Sequence, residues 1–399
     1  MRPELPGVGS TAAGQLAGPV VDVVLPNDID DPATPSGGNH YDRRVLDGLA
    51  DAGWTVREHP VAGAWPHPDD RSRSELARVL DGVPDGGVVL ADGLVASAVP
   101  DVLAPHVDRV RLVVLVHMAM DDPAEARALA GAAAVVTTSE WTRRRLLDRY
   151  ALPADRVTVA LPGVDPVDPT PSPAASPSPS PSPAASPSPS PSPAAFPFSA
   201  AASGTFPSSG TGTGGGLLCV AALTPLKGHD LLVDALATLV DRDWTCTLVG
   251  SPTVAPETAA RLDARVRAYD LDERVRRVGP LTGARLTAAY AGADLLVLPS
   301  RSETYGMVVA EALAHGVPVV ATTVGGVPEA VGRTPDGVLP GLLVPPDDPA
   351  ALADALRRWL DDGGLRDELR AAARARRDTL PGWPSTSARL AQVLKGATA

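Results

Sequence analysis

A chain of 399 residues is too long for one ordinary hydrophobic core and suits two domains. Hydrophobic residues make up 44%, enough to fill sizeable cores, while the net charge of −12 argues against a nucleic-acid binder, which would carry a basic face. Two cysteines, Cys219 and Cys246, sit in apolar runs; they are too few for a disulfide framework or a zinc site and read as buried thiols.

Residues 1–18 read as a flexible N-terminus. They lack a basic segment followed by an uninterrupted apolar one, and no run in the chain approaches 18 apolar residues. The expected location is therefore cytoplasmic. From residue 19 to 165, strand-like runs alternate with helical patterns. The strands are "VVDVVLP", "WTVREHPV", "GVVLADG", "VRLVVLVHM", "AAVVTTS" and "RVTVALPG"; "YDRRVLDGLADAG" and "EWTRRRLLDRYAL" are among the helices. Such alternation predicts a parallel sheet with helices on both faces.

The loop "TPSGGNHYDRRVLDGL" follows the first strand and opens the first helix. Gly37 and Gly38 free its backbone to approach a ligand. For Asn39 and His40, a plain loop-tip role is an equal alternative. His117 closes the strand "VVLVHM", where a structural and a ligand-facing role are both open. The helix "EWTRRRLLDRY" carries Arg143, Arg144, Arg145 and Arg149 beside Trp141. Docking on a membrane surface is one reading, but the acidic chain and the ordinary strand–helix setting favour a solvated face.

Residues 166–216 alternate Ser and Pro and end in "SSGTGTGGG", which reads as a linker with nothing to pack. The literal G-x-G-x-x-G at Gly210, Gly212 and Gly215 precedes a strand instead of following one, so it carries no phosphate-loop meaning. Residues 217–399 repeat the strand–helix scheme with "GLLCVAAL", "TCTLVGS", "RVRRVGPL", "ADLLVLPS", "PVVATTVG" and "GLLVPP". The predicted fold is thus α/β, with two Rossmann-like doubly wound domains facing across a cleft. Ligands of open α/β sheets bind at the carboxyl ends of the strands.

Three stretches of the second domain fall at such ends. "VAALTPLKGHDLL" places Lys227-Gly228 between a strand and a helix, where an ammonium group can neutralise a leaving diphosphate. "RVRRVGPL" offers Gly279, Pro280 and Leu281 as a backbone wall at a strand end. "SRSETYGMVVAEALAHG" sets Glu303 and Glu311 around the start of a helix from Met307. Ser300 and Ser302 are expected to cap that helix, and Gly306 to admit a ligand to its N-terminus. If both glutamates were helical their backbones would lie roughly 12 Å apart, which suits the two ends of a long ligand better than the paired carboxylates of a glycosidase. Glu329, after Gly325-Gly326, reads as a ligand contact or a helix cap. Three D-x-D pairs, Asp28/Asp30, Asp241/Asp243 and Asp270/Asp272, carry little weight in so acidic a chain, and no metal site is expected.

The segment "ETYGMVVAEALAHGVPVVATTVGGVPEAV", Glu303 to Val331, resembles the signature of retaining glycosyltransferases of the GT-B fold, family 4. The resemblance implies transfer of a hexose-type sugar from a nucleoside-diphosphate donor, without a metal or other cofactor, to an acceptor the sequence does not name. It implies that Glu311 bonds the donor's ribose and that Glu303 lies beside the donor sugar. The amides of Thr304, Tyr305, Gly306, Met307 and Val308 would then hold the sugar hydroxyls and diphosphate, with Gly279 and Leu281 lining the base. Lys227 would face the leaving phosphate, His117 the donor sugar, and Gly37 and Gly38 the phosphate and acceptor. The family usually has an Arg before the Lys; here Ala222 stands there, so either the donor is held more weakly or Arg301 substitutes. A nucleotide-sugar 2-epimerase and a non-catalytic nucleotide-sugar-binding protein of the same fold are the alternatives.

Overall fold

The computed structural model describes residues 18–167 and 214–398. The N-terminal segment and most of the 166–216 linker lie outside the described residues. All twelve strand-like runs form strands, and they divide between two compact units.

In the first unit β1 (Val20–Pro26), β2 (Thr55–Val61), β3 (Val88–Asp92), β4 (Arg111–Val116), β5 (Ala134–Thr137) and β6 (Val157–Val159) form one parallel sheet in the order β2-β1-β3-β4-β5-β6. Its inner strands are almost wholly buried, as expected when helices cover both faces; in β4 "RLVVLV" only the first residue is exposed. The edge strand β2, "TVREHPV", instead carries charge and a proline, which blunt an open edge. The core gathers Val24, Leu76, Leu80, Val114, Leu129 and Leu146.

The second unit contains β7 (Gly216–Val220), β8 (Thr245–Val249), β9 (Val275–Gly279), β10 (Leu295–Leu298), β11 (Val319–Thr322) and β12 (Gly341–Val344), ordered β12-β11-β10-β7-β8-β9 and again parallel. Read from β9, this is the doubly wound Rossmann order, in which the chain leaves β7 in one direction and returns to β10 on its other side. Leu217, Leu232, Leu236, Leu248, Leu295 and Val297 fill the core with Trp244 and Trp359. Both indole N–H groups are satisfied, by Leu239 O at 2.8 Å and Gly214 O at 2.7 Å, so neither Trp carries an orphan donor. Cys219 and Cys246 are buried free thiols on adjacent strands, and burial pushes the Cys219 thiol up to about 12.

The domain boundary differs from the sequence reading. The helix Trp383–Thr398, assigned above to the second domain (217–399), packs in the first unit. Trp383, Leu390, Ala391 and Leu394 are buried. Trp383 meets His40 and Tyr41 edge-on at 5.4 and 5.7 Å, and Thr386 Oγ1 donates to Leu161 O at 2.7 Å. The helix Gly37–Asp51 makes room for it at Gly48, where a Cβ would lie 2.1 Å from Ser387 Oγ. An amphipathic pattern names the face a helix buries, not the sheet it buries that face against.

Candidate active site

In the second unit the residues gather at the switch point, beyond the carboxyl ends of β7 and β10. The chain leaves β7 through a short 3₁₀ turn, Pro225–Lys227, and leaves β10 through Pro299 and Ser300. Gly228, at φ 65°, lets the two connections touch: a Cβ there would lie 2.1 Å from Pro299 O. The Arg301 N–H donates to Leu226 O at 2.7 Å across the same junction. The result is a contact between Lys227 Nζ and Glu303 Oε1 of 2.7 Å. Ser300, fully buried, donates its hydroxyl to the same oxygen at 2.8 Å. An ammonium group has three N–H donors, so one bond to Glu303 leaves Lys227, 29% exposed, able to serve a ligand.

The Glu303 loop is held from its other side by Gly325-Gly326. A Cβ on Gly325 (φ 52°) would lie 1.6 Å from Glu303 O, and one on Gly326 would lie 2.3 Å from Thr304 O. Those two glycines thus seat the backbone that carries the Glu303 side chain. Glu329 lies in the first turn of the following helix, Val327–Val331, where a negative charge suits the positive end.

The helix Met307–Ala314 begins after Gly306 at φ 90°, with no side chain capping it. The expected caps do other work: the Ser300 hydroxyl turns to Glu303, and Ser302 lies outside the helix. An uncapped helix start presents orphan N–H groups to a ligand. Thr304 and Gly306 shape this entry, and Met307 and Val308 are its first two residues; Tyr305 is buried, and burial pushes its hydroxyl up to about 12. Glu311 lies one turn on and accepts a 2.7 Å bond from the buried Tyr290 hydroxyl. Gly279 ends β9 at φ 73° and accepts the Gly250 N–H at 3.0 Å, and Leu281 beyond it is buried.

Arg301 does not take the place of the missing Arg. Its guanidinium grips Asp230 through two 2.8 Å bonds and donates to Asp347 at 2.6 Å and to Pro225 O at 2.8 Å. It ties the Lys227 turn to the end of β10, a bracing role. Ala222 stands in the bend after β7 with its short side chain.

In the first unit a second cluster forms at the strand ends. His117 follows β4, and its Nε2 donates to Asp42 Oδ1 at 2.7 Å, with Asp92 Oδ2 3.6 Å away. Both carboxylates are buried. Burial opposes a charge on His117, but Asp42 and then Asp92 outweigh it and hold its pKa up at about 9. Burial, then the charge on Asp42, pushes the Asp92 carboxyl well above the usual range. Gly37 and Gly38 open the helix capped by Ser36, whose hydroxyl accepts the Asn39 N–H at 3.0 Å. A Cβ on Gly38 would come 3.5 Å from the His117 ring, an ordinary van der Waals contact, so the helix start lies directly against the imidazole. Asn39 also donates to Asp28 O at 3.3 Å, and His40 packs on Trp383; both have structural work. The three side chains Asp42, Asp92 and His117 lie close enough together to hold a cation.

Sequence reasoning missed Asp42, Asp92 and Tyr290. Asp92 had a signal, a charged residue ending the apolar run "VVLAD"; Asp42 and Tyr290 had none, since both sit in ordinary helical patterns. A composition signal for Lys227 was also present: of the 35 basic residues only Lys227 and Lys395 are lysines. The Arg143–Arg149 helix is tied to its neighbours: Arg143 donates to Val157 O and Ala154 O, and Arg145 pairs with Asp121. Among the described residues no helix is long and apolar enough to cross a membrane.

Residues 214–362 match the family model described as glycosyl transferases group 1. Sequence relatives include the D-inositol 3-phosphate glycosyltransferase of Kineococcus radiotolerans, 33% identical over 279 residues, which are 66% of this chain and 57% of that protein. The protein of the same name from Jonesia denitrificans is 41% identical over 157 residues, 38% of this chain and 36% of that one. The chain thus spans little more than half, or less, of the relatives it matches. Among solved structures, sucrose-phosphate synthase from Thermosynechococcus elongatus superposes with a TM-score of 0.69 at 21% identity, covering 95% of this chain and 98% of that one. HepE of Anabaena, solved with UDP-glucose, gives 0.68 at 17% identity, covering 94% and 99%. At such identities these two show the fold alone. The fold is the GT-B arrangement of two Rossmann-like domains. Residues 214–362 of the chain form the glycosyl transferases group 1 domain.

Proposed function

We propose that the chain transfers a hexose-type sugar, with retention, from a nucleoside diphosphate to an acceptor, and that the second unit holds the donor. The Lys227–Glu303 contact at the switch point carries this reading. Phosphate oxygens require N–H donors, and the Lys227 ammonium and the uncapped start of the helix Met307–Ala314 supply them. Sugar and ribose hydroxyls require acceptors, and Glu303 and Glu311 supply those.

On this reading the negative charge that grows on the departing diphosphate is met by Lys227 and by the backbone N–H groups of Met307 and Val308, so the step needs no metal. Glu303 and Ser300 hold the ammonium and the sugar in fixed relation. The acceptor attacks the face the diphosphate leaves, and a phosphate oxygen takes its proton. His117, charged beside Asp42 in the first unit, keeps its proposed catalytic role. With Ala222 in place of an arginine and Arg301 engaged elsewhere, the clamp rests on Lys227. The names of the sequence relatives make D-inositol 3-phosphate the first acceptor to try.

Calorimetric titration of UDP, GDP, ADP and TDP into the wild type and Glu311→Ala tests the donor site. One nucleotide binding the wild type, and more weakly the variant, is the expected result. Equal binding to both would remove the ribose assignment. Binding without turnover of the matching nucleotide sugar on any acceptor would leave a binding protein in place of a transferase.

A further inference from the structure

We propose that Tyr290 is a positioning residue for the donor's ribose: its hydroxyl fixes the Glu311 carboxylate in the orientation that receives the ribose diol. The inference rests on the reading of Glu311 given above and extends it to a residue outside the signature segment.

Three observations carry it. The Tyr290 ring is 2% exposed, yet its hydroxyl reaches Glu311 Oε2 at 2.7 Å, so a buried side chain governs a half-buried one. The ring is itself held, stacked on His315 with centroids 5.2 Å apart and planes 21° apart. His315 closes the helix that carries Glu311, one turn away, so Tyr290 grips the same helix face at two points. Burial and the adjoining Glu311 push the Tyr290 pKa far up, which keeps it a donor. Tyr290 also belongs to the helix Gly283–Ala291, which directly follows Gly279 and Leu281. One short stretch therefore connects the residues assigned to the base with the residue that sets the ribose acceptor.

The chemistry asks for such a holder. A glutamate's terminal torsion is broad and roughly two-fold, so an untethered carboxylate samples many planes. A cis-diol offers two O–H groups in one plane, and a carboxylate already in that plane loses less freedom on binding.

The test uses the nucleoside diphosphate that binds best among UDP, GDP and ADP, together with its 2′,3′-dideoxy counterpart. Each is titrated into wild type, Tyr290→Phe, Glu311→Ala and the double variant. The wild type should prefer the ribose form. Tyr290→Phe, which keeps the ring and its stack, should weaken the ribose form by about tenfold and the dideoxy form little, and the double variant should be no weaker than Glu311→Ala. His315→Ala keeps the hydroxyl but frees the ring, and should lower the preference by less than Tyr290→Phe does; it serves as the second probe if Tyr290→Phe melts early. Equal weakening of both nucleotides, or an undiminished preference in Tyr290→Phe, overturns the role of Tyr290 alone. A preference that survives Glu311→Ala, or no binding by any of the three nucleotides, overturns the reading of Glu311 and this inference with it.

Discussion

Lys227 Nζ and Glu303 Oε1 lie 2.7 Å apart although 76 residues separate them in the chain. The contact exists because the second sheet reverses its winding between β7 and β10, which brings two distant strand ends side by side. It places a cation and an anion where a charged, hydroxyl-rich ligand would enter.

Replacing Lys227 by Ala should lower kcat by about 10²–10³, the usual cost of one donor to a developing anion. Lys227→Arg should not restore it, since a planar guanidinium cannot replace a compact ammonium beside Glu303 and Ser300. Steady-state kinetics with the donor found by calorimetry would check both; wild-type kcat in Lys227→Ala would remove the residue from the mechanism.

Much of this was legible in the sequence. The inner strands were legible because a strand buried on both faces has to be a continuous apolar run, whereas the edge strands β2 and β9, which carry charge, were placed by their position in the strand–helix alternation. Lys227 and Glu303 could be picked out because each stands shortly after such a run, and Glu311 because of its spacing from Glu303 in the segment that resembles a family signature. Asp42, Asp92 and Tyr290 could not, since what singles them out is a contact made by another element. The fate of Ser300 was misread for the same reason: a hydroxyl before a helix looks like a cap until a closer carboxylate claims it. Arg301 looked available because Asp230 and Asp347, its partners, are distant in sequence.

Gly228→Ala and Gly325→Ala should each destabilise the second unit by more than about 1–2 kcal/mol, the ordinary cost of a side chain at positive φ, because a Cβ there meets backbone oxygen at 2.1 and 1.6 Å. Gly279→Ala has the same sign of φ but open space around its Cβ, so it should cost only that ordinary amount. Urea midpoints for the three variants would separate contact from conformation; equal losses would contradict the packing described.

Stability should fall as pH rises on the alkaline side. The pKa of His117 is held at about 9 in the folded protein against an ordinary 6.5. Its stabilising charge is therefore fully present below about 6.5 and is lost as pH climbs through 9. Asp92 acts in the same direction at lower pH: its raised carboxyl contributes fully below its ordinary range and loses that contribution as pH climbs through about 7, while its charge above that pH helps hold the His117 proton. The melting temperature should drop by several degrees from pH 6.5 to 9.5, and Asp92→Asn, which cannot ionise, should drop less. A flat wild-type profile would contradict the pairing of His117 with the two aspartates.

Trp383→Ala should destabilise the first unit by about 3–5 kcal/mol, as for other buried large aromatics. Hydrogen exchange would show where the loss falls. Faster exchange in the helix Gly37–Asp51 is expected; faster exchange confined to the second unit would restore the boundary read from the sequence.

The return of the helix Trp383–Thr398 to the first unit also sets an order of events during synthesis. The sheet of the first unit emerges from the ribosome complete long before its last helix does. Until the whole second unit has been made, the face of the helix Gly37–Asp51 that later meets Trp383 has no native cover. The nascent chain therefore holds an apolar seat open for as long as the second unit takes to be made.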